Sequence, residues 1–243
     1  MTIGCIIQAR MGSTRLPGKV LLKLDQSNCV LDYLIHQINC SKKINKIIIA
    51  TTSLKEDDPI EEFAKTNDLL YFRGDASDVL DRYYQCAKQF SLSIIVRITA
   101  DNPLIDPTIV DKVITEFNSN VCDYASNAFI RSFPYGTETE IFSFTSLEKV
   151  WNNAKDYADR EHVTSYFYNN PTKFKLLHIK NKNDLSFLRW TIDEYDDLLL
   201  IKKITTKIKK RPILMTDILS LFNQEPTLLS INEHVKHKIF DDE

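Results

Sequence analysis

The chain has 243 residues, with 31 Lys and Arg against 33 Asp and Glu, a formal net charge of −2, 43% hydrophobic and 26% charged residues. That balance excludes the basic excess of a general nucleic-acid binder, and the length suffices for a core without disulfide staples. Five cysteines with no CxxC spacing exclude a disulfide framework and a structural zinc site, and no uncharged apolar run reaches the roughly 18 residues needed to span a bilayer. Residues 1–8 are apolar but short and lack a basic n-region, so they do not read as a signal peptide. The expectation is one domain over residues 1–243, cytoplasmic, with no nucleic-acid partner and no membrane span.

Ile3, Cys5, Ile6 and Ile7 predict a buried strand at the N-terminus, followed by a basic loop punctuated by Gly and Pro over residues 9–19. Val30, Leu31, Leu34, Ile35 and Ile38 recur at helical spacing, and the β-branched run 46–52 reads as a buried parallel strand. The alternation continues with a helix over 59–65, a strand over 69–72, a helix carrying Val79, Leu80, Tyr83, Tyr84 and Ala87, and a strong strand over 93–99. Asp106-Pro107 is a helix start, with Asp as cap and Pro at the first helical position. Residues 1–120 therefore read as α/β with a mostly parallel sheet.

The second half is less regular. Residues 137–142 alternate as a strand that places Glu138 and Glu140 on one face, and Thr145-Ser-Leu-Glu148 fits a capping box before the helix of Val150 and Trp151. Residues 174–179 predict a strand, and Asp193 is a candidate cap for a helix through Leu198, Ile201 and Ile204. Six basic residues within 202–211 read as a solvated helix face. Trp151 and Trp190 are expected in the core, and residues 225–243 as a packed helix or a frayed end.

The segment richest in chemistry is Gln8-Ala9-Arg10-Met-Gly12-Ser13-Thr-Arg15-Leu-Pro17-Gly18-Lys19, directly after the first strand. In open α/β sheets ligands bind at the carboxyl ends of strands. Glycines let backbone N–H groups approach an anion and Arg and Lys supply charge, so the loop points to a polyphosphate. It is not a Walker A loop: five residues separate Gly12 from Gly18, and Val20 stands where a hydroxyl residue is required. Nor is it a dinucleotide GxGxxG.

This loop resembles the signature of the sugar-acid cytidylyltransferases, the SpsF-like branch most of all. The resemblance continues through Phe72-Arg73-Gly74, Asp78 to Tyr83, Arg97 to Leu104, Pro134 to Glu140, Arg160 to Thr164 and Thr191 to Leu198, covering about residues 3–201. It implies a nucleotide-diphosphosugar-transferase (GT-A-like) α/β/α sandwich, with a nucleotide half over about 1–120 and an acceptor and dimerisation half over about 121–243. It implies a Mg2+-dependent transfer of CMP from CTP to a small anionic acceptor, with release of pyrophosphate, in surface-polysaccharide or glycoconjugate synthesis. By the same resemblance Arg10, Ser13, Arg15 and Lys19 hold the triphosphate, aided by Ala9 and Gly12, and Arg10, Lys19 and Asp101 are catalytic. Asp101 and Asp193, each of which also reads as a helix cap, are the implied metal ligands, with Asp197 a weaker third.

Thr51, Thr52 and Ser53, with Gly74, Ser77 and Arg82, are the implied base and ribose contacts, although Arg73-Gly-Asp-Ala-Ser77 departs from the Ser-Gly-Thr-Asp-Arg of octulosonate relatives. Tyr135, Gly136, Glu138, Glu140, Arg160, Glu161 and His162 are candidates for the acceptor. A general base is left open between His162, Asp101 and a polarised acceptor oxygen. A homodimer through a hairpin over residues 127–144 is implied as well. Two alternatives stand beside this reading: a GT-A glycosyltransferase, whose D-x-D motif ends no strand here, and a non-catalytic nucleotide-binding subunit, disfavoured because Arg10, Lys19 and Asp101 are all present.

Overall fold

A computed structural model describes residues 1–236, so the last part of the 225–243 segment, residues 237–243, lies outside the described residues. The strands are β1 (Ile3–Gln8), β2 (Lys46–Thr52), β3 (Leu70–Gly74), β4 (Ile94–Thr99), β5 (Tyr124–Ser126), β6 (Glu140–Ser143) and β7 (Leu176–His178). They form one seven-stranded sheet in the order β3-β2-β1-β4-β6-β5-β7. β1 to β4 are parallel, β6 is antiparallel to both its neighbours, and β7 is parallel to β5.

The helices are α1 (Val30–Ile38), α2 (Asp58–Thr66), α3 (Val79–Gln89), α4 (Pro107–Ser119), α5 (Phe144–Asn153), α6 (Tyr157–His162), α7 (Ser165–Asn169), α8 (Tyr195–Lys207) and α9 (Met215–Gln224). Both sheet faces are covered, which is why β1, β2 and β4 are near-continuous apolar runs. Alternate side chains divide between two cores. Cys5, Ile7, Val96 and Ile98 pack with Leu31 and Leu34 of α1 and Val110 and Val113 of α4. Ile6 and Ile95 pack with Leu80 and Tyr83 of α3 and Leu147 and Val150 of α5. Each such buried aliphatic contributes about 1.5–3 kcal/mol. A third cluster, around Trp190, Leu198, Ile201, Ile204 and Ile218, seats α8 and α9 against Val30 and Tyr33 of α1.

Parallel strands end at one edge of the sheet, and the reversed β6 begins there. Gln8, Thr52, Gly74, Thr99, Ser126, His178 and the first residue of β6, Glu140, therefore share that edge. Among the described residues no helix is long and apolar enough to cross a membrane.

The α4 start is as the sequence predicts: Asp106 accepts the Thr108 N–H at 2.7 Å, with Pro107 first in the helix. The second half departs from expectation in five places. Residues 137–139 are not strand, because Asn127 takes their backbone groups: its amide donates to Thr137 O and its carbonyl accepts from Thr139 N–H. The cap of α5 is Ser143, which accepts from Ser146 N–H, because β6 runs directly into the helix; the expected box at 145–148 lies inside it. The predicted 174–179 strand is regular only over Leu176–His178, with Lys175 O and Ile179 N–H bonded to Asp123 and Ser126 at its ends. Glu194, not Asp193, occupies the cap position of α8. The basic stretch leaves the helix after Lys207; Lys207 pairs with Glu225, Lys210 with Asp217, and Arg211 lies over the Tyr33 ring. Trp190 is fully buried, whereas Trp151 is half-buried, stacked on Tyr84 and donating to Asp81.

Candidate active site

The loop after β1 closes upon a single peptide. Ser13 N–H and Gly18 N–H both donate to Met11 O at 2.9 Å, drawing residues 11–18 into a compact arch. Gly18 has φ 66°, a left-handed conformation that glycine adopts without strain, and it starts the short turn Lys19–Leu21. Ala9 is buried and continues the ladder through its N–H to Ala50 O. Arg10, Gly12 and Arg15 are exposed, Ser13 half-buried.

Lys19 returns from this arch into the edge of the sheet. Its ammonium donates to Asp101 Oδ2 and Asp193 Oδ1, both at 2.8 Å, and to Ile192 O at 2.7 Å. Burial alone pushes the Lys19 pKa down, but the two carboxylates outweigh it and hold it above the ordinary value. Asp193 is held well below the usual carboxylate range: burial opposes this, and Lys19 and Arg189 prevail. The site thus joins β1's loop, the end of β4 and the segment before α8. Thr99 donates to Asp101 Oδ1 at 2.6 Å, and Ile192 N–H donates to Asp101 O at 2.9 Å, which clamps the two carboxylate-bearing segments together.

The oxygens of Asp101 and Asp193 converge on one positive centre. Hard oxygen donors aimed at a common cation are the donor set of Mg2+, which completes its shell with phosphate oxygens and water. The two residues therefore fit the expected ion, although among the described residues no group of three or more Asp, Glu, His or Cys is placed to hold a metal ion. Asp197 does not belong to this set. It is fully buried and held bidentately by Arg189, at 2.9 Å from both Nε and Nη2. Its Oδ2 also accepts from Asp193 N–H and Glu194 N–H, so it shapes the start of α8.

The other candidates fall at different depths. Thr51 and Thr52 are buried and Ser53 exposed at the end of β2; Ser53 N–H donates to Gly74 O. Gly74 is there for closeness: a Cβ at this position would lie 2.9 Å from Arg82 Cγ. Arg82 is buried beneath the 74–77 turn with Nη1 on Asp75 O, and burial pushes its pKa down. Arg82 Nε and Thr51 Oγ1 are both buried without a hydrogen-bond partner. Ser77 is exposed, in a turn about Asp75.

Among the acceptor candidates the structure separates what the sequence grouped. Glu138 holds Arg131 and Gly136 N–H, while Glu140 is buried between Arg97 and the Tyr124 hydroxyl, so the two do not share a face. Arg160 is spent on Asp78, through Nε at 2.9 Å and Nη2, and on Trp151 O. Its fork secures the residue that caps α3. Tyr135 lies beneath the Arg131 guanidinium, and Gly136, with φ 102°, lets the chain pass against Trp190 and Thr191. Glu161 and His162 are half-buried at the end of α6, before Val163 at φ 61°.

Sequence reasoning missed Arg189, Thr99 and Asp57. Arg189 carried a signal in its i,i+4 spacing to Asp193. Asp57 carried none, although it accepts Met11 N–H at 2.6 Å.

A family model described as cytidylyltransferase matches residues 4–222. The spore coat polysaccharide biosynthesis protein SpsF of Bacillus subtilis is 34% identical over 229 residues, 91% of this chain and 94% of that protein. A cytidylyltransferase structure from Leptospira borgpetersenii superimposes with TM-score 0.91 and 35% identity, over 98% of this chain and 100% of that one. The structure of CMP:2-keto-3-deoxy-manno-octonic acid synthetase complexed with CTP shares the fold at TM-score 0.63 and 12% identity, covering 85% and 99% of the two chains. With a basic arch over paired aspartates and a family match along nine-tenths of its length, the chain belongs to the cytidylyltransferase family and is a CTP-dependent nucleotidyltransferase.

Proposed function

We propose that the protein transfers CMP from CTP to an oxygen of an acidic sugar or related acceptor, with Mg2+ and release of pyrophosphate. We place this step in the cytoplasm, in the synthesis of a surface polysaccharide or glycoconjugate. The observation that carries the reading is Lys19, held by Asp101 and Asp193 beneath an arch that exposes Arg10 and Arg15. The acceptor hydroxyl oxygen bonds to the α-phosphorus and releases its proton to a base, for which Asp101 and His162 are the candidates, as the bond to the bridging oxygen breaks and that oxygen leaves with pyrophosphate. Lys19, Arg10 and Arg15 meet the charge that collects on the leaving phosphates, and fixed cations in a half-buried site need little reorganisation to do so. Asp101 and Asp193 would hold the Mg2+, which when bound supplies Lewis-acid neutralisation of phosphate charge. No covalent enzyme intermediate is required, since positioning and charge neutralisation account for catalysis of this type.

Two relatives support the reading: SpsF is a polysaccharide biosynthesis protein, and the octonic acid synthetase structure holds CTP. The test is a thermal-shift screen with CTP, UTP, ATP, GTP and a UDP-sugar, with and without Mg2+, followed by pyrophosphate release with candidate acceptors. A ligand of the native state raises its melting temperature. Selective, Mg2+-dependent stabilisation by CTP is expected; stabilisation by the UDP-sugar and none by CTP would overturn the reading.

A further inference from the structure

Asp57 stands at the cap position of α2, yet its side chain makes no cap hydrogen bond to that helix. An Asp in this position ordinarily satisfies the first free N–H groups of its helix. Here the carboxylate turns the other way. Oδ1 accepts Met11 N–H at 2.6 Å, and Oδ2 accepts the hydroxyl proton of Thr52 at the end of β2. Asp57 is fully buried. Burying an ionised carboxylate is costly unless its hydrogen bonds repay it, and a charge-assisted bond to a backbone N–H is among the strongest available.

The peptide it holds is the one on which the arch closes, since Met11 O accepts both Ser13 N–H and Gly18 N–H. Glu56, the preceding residue, also lies against the arch: a Cβ at Gly12 would sit 3.1 Å from its Oε1. We propose that Asp57 is a positioning residue for the nucleotide, whose buried carboxylate fixes the Met11 peptide and thereby the shape of the 9–19 arch that receives the triphosphate. The proposal rests on the reading above for the identity of the ligand, and on the hydrogen bonds alone for the arch. Binding to a preformed loop avoids the cost of ordering it, so loss of the anchor weakens polyphosphate affinity.

The experiment compares the wild-type chain with Asp57→Ala and Asp57→Asn. Hydrogen exchange is followed over residues 9–19, and calorimetry measures the affinity for CTP and for inorganic tripolyphosphate, with Mg2+. Asp57→Ala is expected to exchange faster within residues 9–19 while β1 to β4 keep their protection, and to bind both ligands about tenfold more weakly. Asp57→Asn should restore most of the affinity, because its carbonyl can accept Met11 N–H and its amide can donate to Thr52 Oγ1. Unchanged affinity in Asp57→Ala, or faster exchange spread evenly through the chain, would overturn the proposal. Should Asp57→Ala not fold, selective 15N-methionine labelling decides. The Met11 amide resonance should move upfield in Asp57→Asn and respond to tripolyphosphate in the wild type; a resonance indifferent to both overturns it. A wild type that binds tripolyphosphate but shows no preference for CTP defeats the CTP reading and leaves Asp57 standing. A wild type that prefers CTP beside an equally tight Asp57→Ala does the reverse.

Discussion

The ammonium of Lys19 lies 2.8 Å from a carboxylate oxygen of Asp193, 174 residues further along the chain, and at the same distance from Asp101. Lys19 thus bridges two carboxylates that would otherwise repel, while Arg189 and Arg15 pair with the other oxygen of Asp193. Lys19→Met should weaken CTP binding by about tenfold or more, since a fixed charge on the phosphates is lost. It should also make the ligand-free protein respond to Mg2+: the variant's melting temperature rises with added MgCl2, while that of the wild type moves little. A variant as indifferent to Mg2+ as the wild type would show that the two aspartates do not converge on a cation position.

Arg189 carries a different consequence. It is nearly buried and holds the fully buried Asp197 with two hydrogen bonds and Asp193 with a third. Arg189→Ala leaves the buried Asp197 without its cation, with only Asp193 N–H, Glu194 N–H and Asn232 as partners, and removing one member of a buried ion pair costs about 3–5 kcal/mol. Urea unfolding should show that loss, and Arg189→Lys should recover only part of it, because an ammonium cannot reproduce the bidentate fork. A loss below about 1 kcal/mol would place the energetic weight of this corner elsewhere.

The acid limb of the stability curve should carry the mark of Glu61. Hydrogen bonds from Lys65 and Arg73 depress its pKa from 4.5 to about 2. A depressed carboxylate contributes stability that is complete above its unfolded value and is lost as pH falls through its folded one. The contribution therefore fades between pH 4.5 and about 2. Glu61→Gln should flatten this part of the curve and leave the slope above pH 5 unaltered; an unchanged acid limb would refute the assignment.

Thiol chemistry should be confined to one position. Cys40 is exposed, whereas Cys5, Cys29 and Cys86 are buried and Cys122 is half-buried. Burial pushes the Cys86 thiol up to about 12 and, with Asp32 beside it, Cys29 to about 11. The thiolate is the nucleophile, so these groups are inert at neutral pH. An aromatic disulfide reagent should titrate one fast thiol in the native protein, and Cys40→Ser should abolish that phase. A fast phase that survives the substitution would contradict the shielding of the other four.

The sequence carried the first half of the fold because strands covered on both faces are written as unbroken β-branched runs, as in Ile47, Ile48 and Ile49 of β2. It carried the second half poorly. β5 has three residues, too few for a pattern, and the alternation at 137–142 imitates a strand whose backbone Asn127 has already claimed. In the site, the basic loop with Asp101 and Asp193 was legible as a motif. Asp57 was not, because a single polar side chain reaching 46 residues back to Met11 leaves no periodic trace; Thr99 and Arg189 act on near neighbours, Asp101 and Asp193, through spacings too common to single them out.

The reversed direction of β6 also bears on how such a chain can diversify. Residues 127–139 leave the sheet edge from β5 and return to the same edge in β6, so this excursion is anchored at both ends beside the cleft and crosses no strand. The pairings of β1 with β2 and β4, which carry the 9–19 arch, are made without it. Apart from Tyr135 and Gly136, which pair with and pack against the 188–191 segment just before Asp193, the excursion can be rewritten in length and chemistry while β1 keeps its register.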